Sequence, residues 1–361
     1  MSTPLFDEIR SEILSEGPMS LARYMALCLG HPVHGYYRTR DPLGTRGDFI
    51  TAPEISQMFG ELIGLWLASA RAAMAAPANL RLVELGPGRG TLMTDALRAL
   101  RQVAPDLAID LHLVETSPVL RAAQQERLGQ VGPTWHAEIG TLPEGPALVV
   151  ANEFFDALPV RQFQRTERGW CERLVGLSDE GLAFGLAAEP DPDLTTPAPV
   201  GALITVPGPA LDLVRRLARR LVAQGGALLA VDYGHVRPGF GDTLQAVAGH
   251  RFVDPLASPG EADLTTHIDF AALARAATGE GARVHGPVEQ RDFLLALGLC
   301  ERAERLASRA TPGQAEAIAS AFDRLTDRGS RGMGRLFKVM AVADPSITAL
   351  PALPNPLSSP G

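Results

Sequence analysis

Short apolar runs alternate with amphipathic stretches along most of this chain. Runs of the kind that form buried strands occur at residues 81–85, 109–114, 146–152 and 225–234. Apolar positions at helical spacing lie between them, at residues 118–128 and 210–223. An alternation of buried strands and helices is typical of α/β proteins, in which helices cover both faces of a parallel sheet. The pattern therefore predicts a doubly wound, mostly parallel sheet.

The remaining sequence predicts helices before this core, insertions within it and a tail after it. Two short helices are expected in residues 2–30, followed by a loop long enough to serve as a lid. The tail is rich in Pro and Ser and is expected to be disordered. The predicted segments are N-terminal helices and lid loop at 1–78, the first part of the core at 79–159, a β-meander with a Pro-rich linker at 160–200, the core continued at 201–236, a loop-rich and helical insertion that is a candidate substrate lobe at 237–329, the final core strand at 330–343 and the tail at 344–361.

A glycine-rich loop, ELGPGRG, follows the first core strand and contains Gly86, Gly88 and Gly90. A Cβ at these positions would obstruct either the sharp turn or the approach of a ligand to the backbone, so the loop marks a cofactor site. A dinucleotide fingerprint would place its third glycine where Thr91 stands. The spacing ExGxGxG, with Glu84 before the first glycine, instead resembles the first motif of class I S-adenosylmethionine (SAM) methyltransferases, whose acid and loop amides hold the methionine part.

The second core strand ends in an acid, Glu115, which lies 25 residues after Gly90. In nucleotide-binding βαβ units an acid roughly 20 residues beyond the glycine loop binds the ribose hydroxyls. A carboxylate suits that task because it accepts hydrogen bonds from two neighbouring hydroxyls together. Glu115 is therefore a candidate ribose ligand, and the alternative is a solvated acid at the end of a strand.

The third core strand leads into a cluster of polar and aromatic residues. Ligands of open α/β sheets bind beyond the carboxyl ends of the strands, where this cluster is expected beside the glycine loop. We interpret the aromatics as a cap on the core, and Asp156 has the alternative role of capping a short helix. The cluster consists of Asn152, Glu153, Phe154, Phe155 and Asp156.

Six motifs together resemble one known family, the MidA-like SAM-dependent methyltransferases. They are GDFITAPEISQMFGELIGLW, VELGPGRGTLMTDALRAL, NEFFDALPVRQF, VDYGH, PGEADLTTHIDF and MGRLFKVMAVA, in this order between residues 47 and 343, and the resemblance as a whole runs from about residue 20 to about residue 343. The resemblance implies a Rossmann-like class I methyltransferase core, with SAM as cofactor and S-adenosylhomocysteine as product. The mitochondrial member of the family is a protein arginine methyltransferase and complex I assembly factor. The resemblance thus implies a protein substrate with an acceptor arginine, dimethylated symmetrically, in a complex I (NADH dehydrogenase) subunit or its bacterial counterpart.

A guanidinium acceptor would need carboxylates that orient its N–H groups and take up the released proton. Glu153 is the first candidate for that catalytic role and Asp156 the second. Asp48 and Glu54, in and after the lid, are acids that could also meet the substrate. Phe49, with Tyr36 and Tyr37, could stack on the adenosine or simply bury the lid. The predicted cofactor-binding residues are Glu84, Gly86, Pro87, Gly88, Gly90, Glu115, Thr116, Asn152, Asp48 and Phe49.

Composition and charge exclude several other classes of protein. The net charge of −8 and the pI near 5.5 give no basic footprint, so nucleic acid is not expected as a partner. The three cysteines are far apart, and the pairs His31/His34 and Asp232/His235 lack further grouped ligands, so neither a disulfide framework nor a metal site is predicted. No apolar run approaches a membrane span, and no signal or transit peptide is visible, so a cytoplasmic location is expected. The oligomeric state is not predicted.

Alternatives of other kinds remain at this stage. The acceptor could be another protein or a small molecule. A nicotinamide-dependent oxidoreductase would keep the fold, but Thr91 in place of the fingerprint's third glycine is evidence against it. A non-catalytic assembly chaperone could also have retained the cofactor pocket.

Overall fold

The chain forms two compact units in a computed structural model that describes residues 3–44, 47–77, 80–329 and 332–354. The first unit comprises Met1–Phe49, Asp156–Asp212 and Arg237–Ile268. The second unit comprises Ile50–Phe155, Leu213–Val236 and Asp269–Gly361. Each unit is therefore assembled from three separate stretches of sequence.

Helices and strands alternate through much of the described chain. The helices are α1 Pro4–Glu16, α2 Leu21–Gly30, α3 Tyr36–Thr39, α4 Ala52–Ile55, α5 Gln57–Ala73, α6 Thr91–Val103, α7 Pro118–Leu128, α8 Gly208–Gln224, α9 Phe270–Gly279, α10 Gln290–Ala296, α11 Leu299–Ala307 and α12 Pro312–Thr326. The strands are β1 Met19–Ser20, β2 Arg81–Leu85, β3 Asp110–Val114, β4 Thr134–His136, β5 Ala147–Asn152, β6 Arg161–Thr166, β7 Gly169–Ser178, β8 Gly181–Pro190, β9 Leu203–Val206, β10 Gly226–His235, β11 Leu244–Ala248, β12 Arg251–Phe252, β13 Asp263–Thr266, β14 Ile268–Asp269, β15 Arg283–Glu289 and β16 Phe337–Ala343.

The second unit is built on a sheet with the strand order β15-β16-β10-β5-β2-β3-β4. The strands from β10 to β4 are parallel, and β16 runs antiparallel to both β10 and β15. The chain leaves β2 for β3 on one side of the sheet and later returns to β5 on the other, so the strand order reverses at β2. The expected doubly wound, Rossmann-like α/β fold is confirmed.

Helices α5 and α6 of the second unit pack so closely that glycine is required at the contact. An added Cβ at Gly64 would lie 2.3 Å from the backbone oxygen of Ala96, a distance that no side chain tolerates. Large apolar side chains such as Phe59, Trp66 and Met93 are fully buried around this contact. The tight packing fixes α6, and with it the loop from which α6 begins.

The first unit contains two antiparallel sheets. One has the order β1-β7-β6-β9 with β8 paired to β7, and the other has the order β12-β11-β13. Strands β6, β7 and β8 lie where the sequence predicted a meander. An apolar core that includes Ile9, Tyr24 and Val175 is shared by α1, α2, β7 and β8.

Several segment boundaries differ from the sequence-based expectation. Residues 50–77 were predicted with the N-terminal helices and lid loop, but they belong to the second unit. Residues 201–236 were predicted to continue the core, but β9 pairs with β6 of the first unit. Residues 237–329 were predicted as one insertion, whereas residues 237–268 belong to the first unit and β15 is a strand of the main sheet. The sheet that a short strand joins depends on pairing partners distant in sequence, and no local pattern specifies them.

The prediction of a disordered tail at 344–361 is wrong for residues 344–354. Ile347, Leu350 and Leu353 are buried in the apolar core of the second unit. Spaced three residues apart, they pack on the core although Pro and Ser surround them. Residues 355–361 lie outside the described part of the chain.

Candidate functional site

The glycine loop lies between the carboxyl end of β2 and the start of α6. Gly86, Gly88 and Gly90 have φ angles of 59°, 53° and 78°, in the left-handed region that favours glycine. A Cβ at Gly86 would lie 2.7 Å from the Phe154 ring, and one at Gly90 would lie 2.9 Å from the Leu128 side chain. The loop therefore requires glycine for its backbone conformation and for its close contacts.

Local hydrogen bonds hold this loop in one conformation. Gly86 N–H donates to Val114 O at 3.0 Å, which joins the loop to the end of β3. Gly90 N–H donates to Pro87 O at 2.7 Å, which closes the turn before α6. Pro87 thus shapes the loop through its backbone carbonyl.

Two buried carboxyl groups stand beside the loop. Glu84 is 3% exposed, and its pKa lies well above the usual range because burial disfavours the carboxylate and Glu115 is near. Glu115 Oε1 accepts hydrogen bonds from the backbone N–H groups of Thr116 (2.8 Å) and Ser117 (2.7 Å). Burial still raises the pKa of Glu115, because desolvation outweighs these bonds. The second unit thus places acids from β2 and the end of β3 together, as the sequence predicted.

Gln124 is a site residue that the sequence analysis missed. Its amide nitrogen donates to Gly88 O at 2.7 Å and to Glu115 Oε2 at 3.3 Å, while its amide oxygen accepts from Trp135 Nε1 at 2.8 Å. Gln124 is fully buried although the three residues that follow it in the sequence are polar and exposed. Only its burial within the fold distinguishes it from the other polar residues of α7.

The loop after β5 begins with a strained residue, Glu153. Its φ of 48° is unusual for a residue other than glycine, and backbone strain of this kind concentrates at functional sites. Glu153 N–H donates to Val231 O at 2.9 Å. Glu153 Oε1 accepts from Ala52 N–H at 3.2 Å and from Asn152 Nδ2 at 3.3 Å. Both the backbone and the carboxylate of Glu153 are therefore held in place.

Asp232 is the second site residue whose role the sequence analysis missed. It was considered only as one member of a metal-binding pair, but its fully buried carboxylate accepts hydrogen bonds from backbone N–H groups. Oδ2 accepts from Phe154 (3.2 Å) and Phe155 (2.9 Å), and Oδ1 accepts from Tyr233 (2.9 Å). Asp232 on β10 thus fixes the loop after β5, including the ring that contacts Gly86.

The polar atoms of this edge suit a ligand that carries hydrogen-bond donors. Within the described residues, Glu84 Oε2 and Asn152 Oδ1 are buried and have no hydrogen-bond partner. Buried acceptors are normally satisfied, so these two oxygens indicate donors on a bound molecule. The amine and ribose hydroxyls of SAM are such donors. The residues of the second unit fit this cofactor.

Asp48 and Phe49, predicted on the cofactor side, belong to the first unit. Asp48 accepts from the Tyr36 hydroxyl at 2.7 Å and from Gly249 N–H at 2.7 Å. Phe49 is half-buried against the apolar core of its unit, and Tyr36 is fully buried there. The burial of Tyr36 agrees with the interpretation in which this aromatic residue buries the lid.

Asp156, the second catalytic candidate, also belongs to the first unit. It is 5% exposed, and its backbone oxygen accepts from Thr266 N–H at 3.0 Å. Asp263 interacts electrostatically with it and accepts from the Tyr37 hydroxyl at 2.7 Å. Burial first, and then the charge of Asp156, raises the pKa of Asp263 to about 8. The sequence analysis missed Asp263, because one acid in a short strand has no distinctive pattern.

The histidines considered for metal binding have other partners. His31 Nε2 lies 3.0 Å and His34 Nε2 lies 3.5 Å from the carboxylate of Glu8. Across the described residues, no group of three or more His, Cys, Asp or Glu side chains is arranged to hold a metal ion. Across the same residues, no helix is long and apolar enough to cross a membrane.

The strand order, the glycine loop and the acids beside it define a class I SAM-dependent methyltransferase. A family model described as S-adenosyl-L-methionine-dependent methyltransferase matches residues 62–288. The chain belongs to the MidA-like family of these enzymes, and SAM is its cofactor. The resemblance and the cofactor predicted from the sequence are thereby confirmed.

The similarity to relatives with named activities, and to a separate solved structure, extends over nearly the whole chain. The mitochondrial protein arginine methyltransferase NDUFAF7 homolog of Drosophila melanogaster is 39% identical, with 94% of this chain and 84% of the relative covered. Protein arginine methyltransferase NDUFAF7 of Homo sapiens is 35% identical, with 94% and 83% covered. A Burkholderia thailandensis protein crystallised with S-adenosylhomocysteine superposes with a TM-score of 0.83 at 29% identity, covering 98% of this chain and 96% of that one.

Proposed function

We propose that this methyltransferase methylates an arginine side chain of a protein. The substrate that we propose is a subunit of respiratory complex I or its bacterial counterpart, and the product is symmetric dimethylarginine. Relatives at 35% to 39% identity over 94% of the chain that carry the name protein arginine methyltransferase support this proposal. The site observation that supports it is the strained Glu153, whose carboxylate is held at the carboxyl end of β5.

The proposed reaction depends on aligning SAM with the acceptor and requires no covalent intermediate with the enzyme. SAM, when bound, supplies a methyl group on a sulfonium, and its transfer is an in-line displacement. Glu84, Glu115 and the glycine loop hold the cofactor in the proposed site. Glu153 orients the guanidinium through charge-assisted hydrogen bonds and accepts the proton that methylation releases. Asp156, which belongs to the first unit, stays a prediction as the second candidate carboxylate.

The acceptor role of Glu153 can be separated from cofactor binding with one conservative substitution. Glu153→Gln retains an oxygen that can accept from Ala52 N–H, so the local backbone is preserved, but it loses the charge that would bind a guanidinium. We expect methyl transfer to fall by about 100-fold, a typical loss for a general base. The affinity for S-adenosylhomocysteine is expected to stay within about twofold, because the substituted group does not hold the cofactor.

The test uses labelled SAM, purified complex I subunits as candidate acceptors, and mass spectrometry of the modified peptides. Isothermal titration with S-adenosylhomocysteine measures cofactor affinity for each variant. Glu180→Gln, in an exposed turn of the first unit, is the matched control and should behave as wild type. Label on residues other than arginine would reject the proposed acceptor. A Glu153→Gln variant that loses cofactor affinity would assign Glu153 to the cofactor instead.

A further inference from the structure

Residues 50–55 of the second unit contact both loops that frame the cofactor site. Ala52 N–H donates to Glu153 Oε1 at 3.2 Å, in the loop after β5. The Glu54 carboxylate accepts from the Thr91 hydroxyl at one oxygen and from Arg89 Nη1, at 3.4 Å, at the other. Arg89 belongs to the glycine loop, and Thr91 is the residue after it. We call residues 50–55 the strap.

The strap depends on these contacts for its conformation. Its helix, α4, has four residues, and a single helical turn is unstable in water without tertiary contacts. The Glu54 side chain is only 14% exposed, so its ion pair with Arg89 is less screened than a surface pair. The contact of Ala52 with the Glu153 carboxylate and the contacts of the Glu54 carboxylate therefore hold a segment that has little stability of its own.

Thr91 connects the strap to a third element. Arg127 on α7 donates to Thr91 Oγ1 at 2.6 Å, while the Thr91 hydroxyl donates to Glu54. Thr91 is the first residue of α6, where the positive end of the helix dipole also favours a carboxylate. The Glu54 carboxylate thus lies where an anion is stabilised by a hydroxyl, by Arg89 and by the helix start.

We propose that the strap is the third wall of the cofactor site and that Glu54 is a positioning residue that retains SAM and S-adenosylhomocysteine. Glu54 acts through Thr91 and Arg89, because its carboxylate is bound to them. The two contacts fasten the strap to both cofactor loops, and opening of the strap allows the cofactor to exchange. This inference requires SAM binding but is independent of which acceptor the enzyme methylates.

The test measures how fast S-adenosylhomocysteine leaves the protein when the Glu54 contact is removed. Trp135 is a suitable reporter, since Gln124 links its indole to Gly88 O of the glycine loop. For Glu54→Ala we expect dissociation about tenfold faster in stopped-flow fluorescence, with a similar rise in Kd by titration, as for the loss of one charge-assisted hydrogen bond. The melting temperature without cofactor should change by less than about 2 °C.

Companion variants separate a positioning role from a general loss of stability. Thr91→Val should accelerate dissociation to a similar degree, and Thr91→Ser, which keeps the hydroxyl, should restore wild-type behaviour. The double variant Glu54→Ala/Thr91→Val should be little worse than Glu54→Ala, because Glu54→Ala already removes the contact with Thr91. Glu289→Ala removes a comparable pair with Arg328, at 2.8 Å on β15, and should leave dissociation unchanged.

Three outcomes would overturn the inference. The first is a wild-type dissociation rate in Glu54→Ala. The second is a lowered melting temperature in Glu54→Ala together with a Thr91→Ser variant that releases S-adenosylhomocysteine as fast as Thr91→Val does. The third is a wild-type protein that does not bind S-adenosylhomocysteine, which would reject the cofactor itself. Loss of arginine methylation with normal cofactor exchange would instead concern only the proposed acceptor.

Discussion

Both units of this protein bury acidic side chains, but they satisfy them differently. In the second unit, Glu84 Oε2 is buried without a partner among the described residues, beside a loop whose glycines have positive φ angles. In the first unit, the Tyr37 hydroxyl donates to Asp263, and the Tyr36 hydroxyl donates to Asp48. Burial raises the pKa of both Glu84 and Asp263. The cost of burying the Glu84 carboxyl group is thus left for a bound ligand to offset. In the first unit, the hydroxyl of Tyr37 offsets part of the same cost for Asp263.

Glu84 and Asn152 of the second unit need donors from a bound molecule, whereas Asp263 and Asp48 of the first unit have donors within the chain. A ligand that binds only the folded second unit stabilises it in proportion to the logarithm of its concentration. Asp263 of the first unit has a phenol donor already, so its protonation should respond to pH and not to SAM. Cofactor binding should therefore act on the second unit, whereas the response of Asp263 to pH should not depend on the cofactor.

The largest effect is expected where the backbone of the cofactor loop is altered. Gly86→Val puts a branched side chain at a φ of 59° and into the Phe154 ring, whose edge lies 2.7 Å from an added Cβ. We expect the affinity for S-adenosylhomocysteine to fall by more than about 100-fold, because the loop must move to relieve both strain and overlap. Isothermal titration measures the loss.

A second glycine of the same unit provides the control for Gly86→Val. Gly313 lies in α12 with nothing within 4 Å of an added Cβ, so Gly313→Ala should bind the cofactor normally. Fluorescence of Trp170, buried in the first unit, should be unchanged in both variants. Wild-type affinity in Gly86→Val would mean that the cofactor does not lie against this loop.

Within the first unit, a pH response of stability is expected at Asp263. Its pKa in the fold is about 8, well above the usual value of 3.8, so the folded chain holds a proton that the unfolded chain releases. The stabilisation from this group is fully present below about pH 4 and is lost as the pH rises through about 8. One such group changes the free energy of unfolding by at most about 1.4 kcal/mol per pH unit.

Asp263→Asn should flatten this pH dependence. Asparagine keeps an oxygen that can accept from the Tyr37 hydroxyl, but it has no proton to lose. Urea unfolding between pH 5 and pH 9, followed by Trp170 fluorescence, should show the variant gaining stability relative to wild type as the pH rises. Asp179→Asn, at an exposed position of the same unit, should keep the wild-type slope. Parallel slopes in wild type and Asp263→Asn would show that Asp263 titrates normally.

The sequence predicted those features of the site that depend on neighbours in the chain. The strand that ends at Leu85, the glycine spacing and the acid that ends the next strand all follow from local patterns. The SAM cofactor and the family followed from the same motifs and are confirmed. The catalytic role of Glu153 and the ribose role of Glu115 stay predictions.

The features that the sequence did not predict depend on contacts between distant residues. Asp232 fixes the amides of Phe154 and Phe155 from 77 or 78 residues away, and Gln124 reaches Gly88 from 36 residues away. An acid in a strand or a glutamine in a helix has no pattern that marks such a role. Similarly, Leu350 is buried because it packs on the apolar core of the second unit, whereas the Pro- and Ser-rich composition around it predicted disorder.

The smallest effect should come from Glu115, because most of its contacts survive a conservative change. In Glu115→Gln an oxygen remains to accept from Thr116 and Ser117 N–H, while the charge expected to bind the ribose hydroxyls is lost. We expect the affinity for S-adenosylhomocysteine to fall by about five- to tenfold. The protein without cofactor should be no less stable at neutral pH, since burial already raises the pKa of this carboxyl.

A deoxyribose analogue makes the Glu115 prediction specific to the ribose. Wild type should bind S-adenosylhomocysteine more tightly than its 2′-deoxy analogue, and Glu115→Gln should discriminate less between the two, because the hydroxyl and the carboxylate are one interacting pair. Glu126→Gln, at an exposed position on α7, should discriminate as wild type does. Equal discrimination by wild type and Glu115→Gln would contradict the ribose role of Glu115. The Glu115 carboxylate would then serve to accept hydrogen bonds from the backbone N–H groups before α7. Its partners would lie within the chain, like those of Asp263 and Asp48 in the first unit.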